Sequence, residues 1–169
     1  MSLFTAQEFR SLEDLFLTQI EDLYDAEKRI VQALPKMADA AHTPELKQAF
    51  ADHLDQTREH VERLDTIFRQ LGRTPERETC EAMKGLLREG EEMMSAKGDP
   101  IVRDAAIISA AQRVEHYEMA GYGTARSLAM HLGHTEAARL LQTTLQEEEA
   151  SDRKLTEIAE TEVNARALT

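Results

Sequence analysis

Apolar residues recur at spacings of three and four along four segments of the chain, which is the pattern of amphipathic helices that pack in a bundle. The first segment shows it clearly, with Phe16, Ile20, Leu23, Ile30 and Leu34 on one stripe. Ala, Glu, Leu, Arg and Gln are abundant, while the 169 residues include only 7 Gly and 4 Pro. Pattern and composition together predict an all-α fold, and the length suits one domain over residues 1–169.

Prolines and glycines indicate where the helices begin and end. Thr43-Pro44-Glu45, Thr74-Pro75-Glu76 and Asp99-Pro100 each place a capping residue before a first-turn proline. Thr5-Ala6-Gln7-Glu8 is a possible capping box, and Gly133 suits a helix C-terminus. The predicted helices, numbered α1 to α5, cover about 6–41, 44–71, 75–96, 100–131 and 136–165.

The connections between these helices predict the topology. The α1–α2 and α4–α5 loops are short, so each pair forms an antiparallel hairpin. The long α2–α4 connection carries α3, whose roughly 20 residues cover about 30 Å, so that α2 and α4 can run parallel. Two antiparallel hairpins joined by one long crossover form the ferritin-like four-helix bundle. Pro35 falls inside α1, where we expect it to kink the last turns.

Each helical stripe is apolar at its ends and polar at its centre. Residues equally far from a hairpin turn lie at one level of a bundle. Glu27 and Thr57 are level by this count, as are Glu118 and Glu148, so the polar centres are expected to meet. The polar positions are Glu27 on α1, His53, Thr57 and His60 on α2, Glu115 and Glu118 on α4, and Glu148 and Asp152 on α5.

Carboxylates buried together need compensation, because each ionised group costs several kcal/mol to desolvate. Lys and Arg are absent from the central positions of the stripes. Two divalent cations would neutralise four carboxylates and satisfy their oxygens. Mixed carboxylate and imidazole ligands favour iron or manganese, with zinc less suited because it usually takes fewer ligands. The alternatives are a hydrated polar core, or carboxylates that turn outward into a dimer interface.

Composition argues against several other classes of protein. A formal net charge of −12 would repel a duplex phosphate backbone, so we expect no nucleic-acid partner. No apolar run approaches the roughly 18 residues of a membrane-spanning helix, and the N-terminus lacks the basic head of a secretory signal. The single cysteine, Cys80, allows no intramolecular disulfide, which fits a reducing compartment. We therefore expect a cytoplasmic protein without a membrane partner.

Several segments of the chain resemble the YciF/YciE family of bacterial stress proteins, within the ferritin-like superfamily. The RVEHYE and LQEEEASDRKL segments are the most specific. The resemblance implies a homodimeric four-helix bundle, related to rubrerythrin-type di-iron proteins and induced under stress, without implying an established reaction. The segments are LYDAEKRIVQALPKM on α1, HLDQT and VERLD on α2, DAAIISAAQRVEHYEMAGYGTA on α4, and AARLLQTTLQEEEASDRKLTEIA on α5.

The resemblance also implies a set of metal ligands on α1, α2 and α4. Rubrerythrin-like sites take a glutamate from the first helix of the bundle and one or two from its third helix, which is α4 here. Glu27, Glu115 and Glu118 match these positions. The second helix of such sites carries Glu-x-x-His. This chain keeps the histidine, His60, but has Thr57 where the bridging glutamate is expected.

The last helix departs from the family pattern as well. Its glutamate is present as Glu148, but Ser151 or Asp152 stands where a histidine is expected. His53, one turn before Thr57, could replace the missing ligand of α2. The predicted metal ligands are Glu27, His53, His60, Glu115, Glu118, Glu148 and Asp152.

The leading hypothesis is a dinuclear centre of iron, or of manganese, that activates peroxide or dioxygen. Glu115 and Glu148 would bridge the ions, and Tyr24 or Tyr122, one turn from a ligand, could donate a hydrogen bond or act as a redox-active phenol. The alternative is a catalytically inactive, dimeric structural or interaction protein. Apolar residues of α3 could then supply the interface, although packing onto the bundle also explains them. These residues are Met83, Leu86, Leu87, Met93 and Met94.

Overall fold

A computed structural model describes residues 8–75 and 79–168 of the chain. No β-strand occurs within these ranges, which confirms the all-α fold. None of the helices described there is long and apolar enough to cross a membrane. The helices are α1 (Leu12–Ala40), α2 (Pro44–Gln70), α3 (Glu81–Met94), α4 (Pro100–His131) and α5 (Thr135–Ile158), followed by a π-helical segment (Ala159–Val163) and α6 (Asn164–Ala167).

Two of the proline signals mark helix starts correctly. Helices α2 and α4 begin at Pro44 and Pro100, and the Asp99 carboxylate accepts hydrogen bonds from the first N–H groups of α4. Gly133 follows α4 with a φ of +79°, a left-handed conformation that glycine adopts without strain. Pro35 lies inside α1, and the helix continues past it to Ala40.

The predicted starts of α1 and α3 are wrong. Helix α1 begins at Leu12, where the Ser11 hydroxyl accepts from the backbone N–H of Asp14 at 3.1 Å. Thr5 of the predicted capping box lies outside the described residues, and residues 8–10 are not helical.

Helix α3 begins at Glu81 rather than at 75. Its N-cap is Cys80, whose backbone N–H donates to the Asp25 carboxylate at 2.8 Å, so a tertiary contact sets this start. Pro75 is not helical, and Glu76 lies outside the described residues.

The helix pairs pack as the connections predict. Helix α1 contacts α2 and α4, and α5 contacts the same two helices, so α1/α5 and α2/α4 are the diagonals of the bundle. Helix α3 lies across α1 and α4. Met83 is fully buried, and Leu86, Leu87 and Met94 pack against the core, so these residues serve packing onto the bundle.

A buried carboxylate ties the first hairpin to α4. Asp104 accepts hydrogen bonds from the backbone N–H groups of His42 and Thr43, both at 2.8 Å. Thr43 is the N-cap of α2, as predicted, but its side chain makes no capping hydrogen bond. Asp104 therefore holds the α1–α2 turn.

The apolar core is divided into two clusters at different heights of the bundle. One contains Phe16, Ile20 and Leu64, while the other contains Ile30 and Leu155. Each such side chain contributes about 1.5–3 kcal/mol when fully buried. The polar centres of the four stripes lie between the two clusters along the sequence of each long helix.

Candidate metal centre

Six predicted ligands converge inside the bundle, and each is at most 5% exposed. Their ligand atoms form two groups, and within each group all the atoms lie within 4.8 Å of one another. Glu148 belongs to both groups. The first group is Glu27, His60 and Glu148, and the second is His53, Glu115, Glu118 and Glu148.

Helical periodicity explains why these side chains share one interior. Glu115 and Glu118 are three residues apart on α4, so both point to the same side of that helix. His53 and His60 are seven residues apart, which is two turns of α2. Glu27 and Glu148 arrive from α1 and α5, which lie diagonally opposite in the bundle.

His60 is oriented by a carboxylate that the sequence does not single out. Its Nε2 lies 2.9 Å from Glu147 Oε2, while its Nδ1 lies 2.9 Å from Glu148 Oε1 and 3.2 Å from Glu27 Oε1. Glu147 is held in turn by the guanidinium of Arg63, with one contact at 3.0 Å. A proton held on Nε2 by Glu147 leaves the Nδ1 lone pair facing the cluster, which is the usual arrangement of a metal-binding histidine.

His53 presents its other ring nitrogen to the cluster. Its Nε2 lies 3.4 Å from Glu115 Oε1 and 3.8 Å from Glu148 Oε2, and its Nδ1 lies 3.5 Å from Gln56 Oε1. Thr57, where the family pattern expects a glutamate, donates its hydroxyl proton to the backbone oxygen of His53 at 2.7 Å. Thr57 is therefore satisfied by the backbone, and His53 points toward the second group from one turn earlier.

The buried ligand atoms lack hydrogen-bond partners. An unpartnered buried polar atom costs about 1–3 kcal/mol, so a concentration of them at one place needs an explanation. Eight of the eleven such side-chain atoms in the described ranges belong to the six converging residues. They are Glu27 Oε2, His53 Nε2, His60 Nδ1, Glu115 Oε2, Glu118 Oε1 and Oε2, and Glu148 Oε1 and Oε2.

The donor set and its spacing fit divalent cations. Ligands about 2.1 Å from an ion lie about 3 Å from one another when they are neighbours in its coordination shell. The contacts of His60 Nδ1 with Glu148 and Glu27, at 2.9 and 3.2 Å, are of this size, yet Nδ1 forms no hydrogen bond. Carboxylate and imidazole donors together suit iron and manganese.

The cluster carries more negative than positive charge, and its pKa values are shifted accordingly. Burial, and then the charge of Glu148, raise the pKa values of Glu115 and Glu118 well above the usual range. Burial also raises the pKa of Glu27. Burial opposes the charged form of His60, but its three carboxylate neighbours outweigh burial and raise its pKa to about 12. Protons and divalent cations therefore compete for the same sites.

One of the two candidate tyrosines reaches the cluster. Tyr122, 1% exposed, donates its hydroxyl proton to Glu27, and its ring centre lies 6.3 Å from that of His60. Tyr24 instead packs edge-on against Phe68, with ring centres 5.7 Å apart.

Asp152, the seventh predicted ligand, lies outside both groups. Its carboxylate accepts from the Gln112 amide at 3.0 Å and lies 3.3 Å from His116 Nε2. Asp152 follows Glu148 by one turn of α5, so it meets polar side chains of α4 beyond the level of the cluster.

Comparison with known proteins finds relatives over nearly the whole chain. A family model described as "Domain of unknown function (DUF892)" matches residues 11–168. Protein YciF of Escherichia coli (strain K12) is 44% identical over 159 residues, which are 94% of this chain and 96% of that protein.

Solved structures of related proteins share the fold of this chain. The crystal structure of the E. coli stress protein YciF matches with a TM-score of 0.89 at 44% identity, over 92% of this chain and 99% of that chain. YcfI of Rhodopseudomonas palustris, for which a structural role has been suggested, matches with a TM-score of 0.86 at 42% identity, over 90% and 98%. A two-domain Anabaena variabilis protein with DJ-1/ThiJ/PfpI-like and ferritin-like domains matches at 15% identity, with a TM-score of 0.61 over 92% of this chain and 38% of that one, a likeness of fold alone.

Proposed function

Because this chain belongs to the DUF892 family and is a close relative of the YciF stress protein, we propose that it is a ferritin-like stress protein that binds two metal ions inside its bundle. Iron is the preferred metal and manganese the second choice. The supporting observation is the set of eight buried, unpartnered ligand atoms on four helices.

The two groups of ligand atoms suggest how the ions would be shared. Glu148, which belongs to both groups, would bridge them. Glu27 and His60 would complete one site, while His53 and Glu118 would serve the other. Glu115 falls only in the second group, which favours a terminal role over the predicted bridging role.

The protein's own residues would orient the ligands and exclude water. Glu147 would keep the proton of His60 on Nε2, and Tyr122 would hold Glu27 through its hydroxyl group. The apolar clusters above and below limit solvent access. A bound pair of iron or manganese ions would supply electrons and a positive charge clamp for the reduction of a small oxidant such as peroxide or dioxygen.

Elemental analysis tests the metal centre directly. Protein purified without a metal-chelating tag from iron-supplemented cells should carry about two metal ions per chain. Glu148→Ala removes the shared ligand and should leave well under one, while Glu149→Ala, one residue along α5, should change nothing. Wild-type protein with well under one ion per chain, and no further loss in the Glu148 variant, would argue against the proposal.

The second candidate is a catalytically inactive, homodimeric structural or interaction protein of the stress response. The structural role suggested for YcfI, at 42% identity, favours it. In this case the dimer should survive removal of metal, because helix faces rather than ions would hold it together. A chelator should then leave both the solution mass and the melting temperature unchanged, whereas it should destabilise a fold that depends on bound metal.

A further inference from the structure

The two groups of ligands differ in how close they come to solvent. Glu27 and His60 are fully buried. His53 and Glu115 are 5% and 3% exposed, and both line a surface cavity between α2 and α5. Two of the four residues of the second group thus lie at the inner end of an opening, while Glu27 and His60 do not line that cavity.

This opening, which we call the entry cavity, has a volume of about 640 Å³. Its walls include Glu45, Asp52 and Gln56 of α2 and Ala150 and Ser151 of α5. At its inner end the Nε2 of His53 and one carboxylate oxygen of Glu115 are buried and have no hydrogen-bond partner. Potential metal-ligand atoms without hydrogen-bond partners therefore lie at the inner end of the cavity.

Charge along the entry cavity favours cations. Glu45 and Asp52 line its outer part and Glu115 its inner end. Lys154 also lines it, but its ammonium group lies 3.1 Å from the Glu157 carboxylate. Clefts lined by one sign of charge raise the local concentration of the opposite ion and speed its association.

A second large groove lacks these properties. It lies between α1, α3 and α4, has a volume of about 480 Å³, and is lined by no ligand of either group. Its charged lining residues are Arg29, Lys36, Lys84, Arg88, Glu81 and Glu91, so positive charges outnumber negative ones.

We propose that divalent cations reach the buried ligands through the entry cavity, guided by Glu45 and Asp52 and received first by His53 and Glu115. This inference rests on the proposed metal centre. Small side chains keep the route open, because Ala150 on the α5 wall leaves space that a larger residue would occupy. Ions for the first group then pass the second group on the way in.

Stopped-flow loading of metal-free, full-length protein with Co²⁺ tests the route, since the absorption of bound Co²⁺ reports uptake without any enzymatic assay. Ala150→Leu narrows the cavity and should slow uptake about tenfold, with little change in the final amount bound. The double variant Glu45→Gln/Asp52→Asn should slow uptake by a similar factor at low ionic strength, and the difference should shrink in about 1 M salt, where charges are screened within about 3 Å.

Two control positions lie on α2, outside the cavity lining. Ala51→Leu adds the same bulk at an exposed position of α2, and Asp55→Asn removes one charge from it. Both should load at the wild-type rate. Normal Co²⁺ binding with unchanged rates in all the cavity variants overturns the route alone, whereas failure of the wild-type chain to bind Co²⁺ overturns the metal centre and the route together.

Discussion

Glu147 shows how a residue outside the ligand set can control it. It lies in the run Glu147-Glu148-Glu149, which resembles an ordinary exposed helix surface. The fold buries Glu148 completely and leaves Glu147 partly exposed, with His60 and Arg63 as partners. Burial opposes its charge, but these two partners outweigh burial and lower its pKa to about 2.

The contact between Glu147 and His60 predicts a measurable effect on metal affinity. Loss of a carboxylate that orients a histidine ligand typically weakens metal binding roughly 10–100-fold. Glu147→Ala should therefore weaken Mn²⁺ binding by about this factor in a calorimetric titration. Glu149→Ala serves as the matched control and should bind normally. Equal affinities in the two variants would show that Glu147 does not position His60.

At the scale of helices, α1 and α4 approach each other closely at Gly121. A Cβ atom built at this position would lie 2.8 Å from Cδ2 of Leu23, a side chain that is only 1% exposed. Gly123, two residues later on the same helix, has nothing within 4 Å of such a Cβ. The first glycine is needed for packing, while the second costs helix stability without a packing contact in return.

The two glycines predict opposite effects of the same substitution. Gly121→Ala should lower the free energy of unfolding by about 1 kcal/mol. Overpacking against Leu23 costs about 1–3 kcal/mol, which exceeds the gain of about 1 kcal/mol from the higher helix propensity of alanine. Gly123→Ala should raise it by about 0.5–1 kcal/mol. Urea unfolding of both variants and the wild type, all with the same metal content, measures these differences. A Gly121→Ala variant more stable than the wild type would contradict the close contact.

At the scale of the whole molecule, the bundle holds four buried carboxylates and two histidines between two apolar clusters. The apolar clusters stabilise the fold, while desolvation of the charged layer opposes it. Bound cations would neutralise the carboxylates, so that the charged layer would stabilise the fold instead of opposing it. Metal content should therefore control the stability of the bundle.

Removal of metal should therefore lower the melting temperature. An ion present at about 100 times its Kd adds about 2.7 kcal/mol, which corresponds to roughly 5–10 °C for a chain of this size. Thermal unfolding followed by circular dichroism, with and without a chelator, measures the shift. Glu148→Ala should melt at one temperature in both conditions, and a wild-type protein equally indifferent to the chelator would favour the structural alternative.

Much of the fold follows from local signals in the sequence. Pro44 and Pro100 mark helix starts, and Gly133 marks a helix C-terminus, because the backbone geometry of proline and glycine alone favours these positions. The start of α3 could not be predicted this way, because Cys80 is set as its N-cap by a hydrogen bond to Asp25, 55 residues earlier. Residues 74–75 carry a local helix-start signal, yet neither is helical.

The sequence by itself determined that polar side chains interrupt every buried stripe, because helical periodicity places Glu27, Glu115 and Glu148, and the histidines of α2, on inward faces. Only the tertiary structure decided which of them share a site. It joined Glu148 to both groups and left Asp152 outside, since a single turn of helix changes the neighbours that a side chain meets. Periodicity gives the direction of a side chain, whereas the packing of separate helices sets the distances between its atoms and those of other helices.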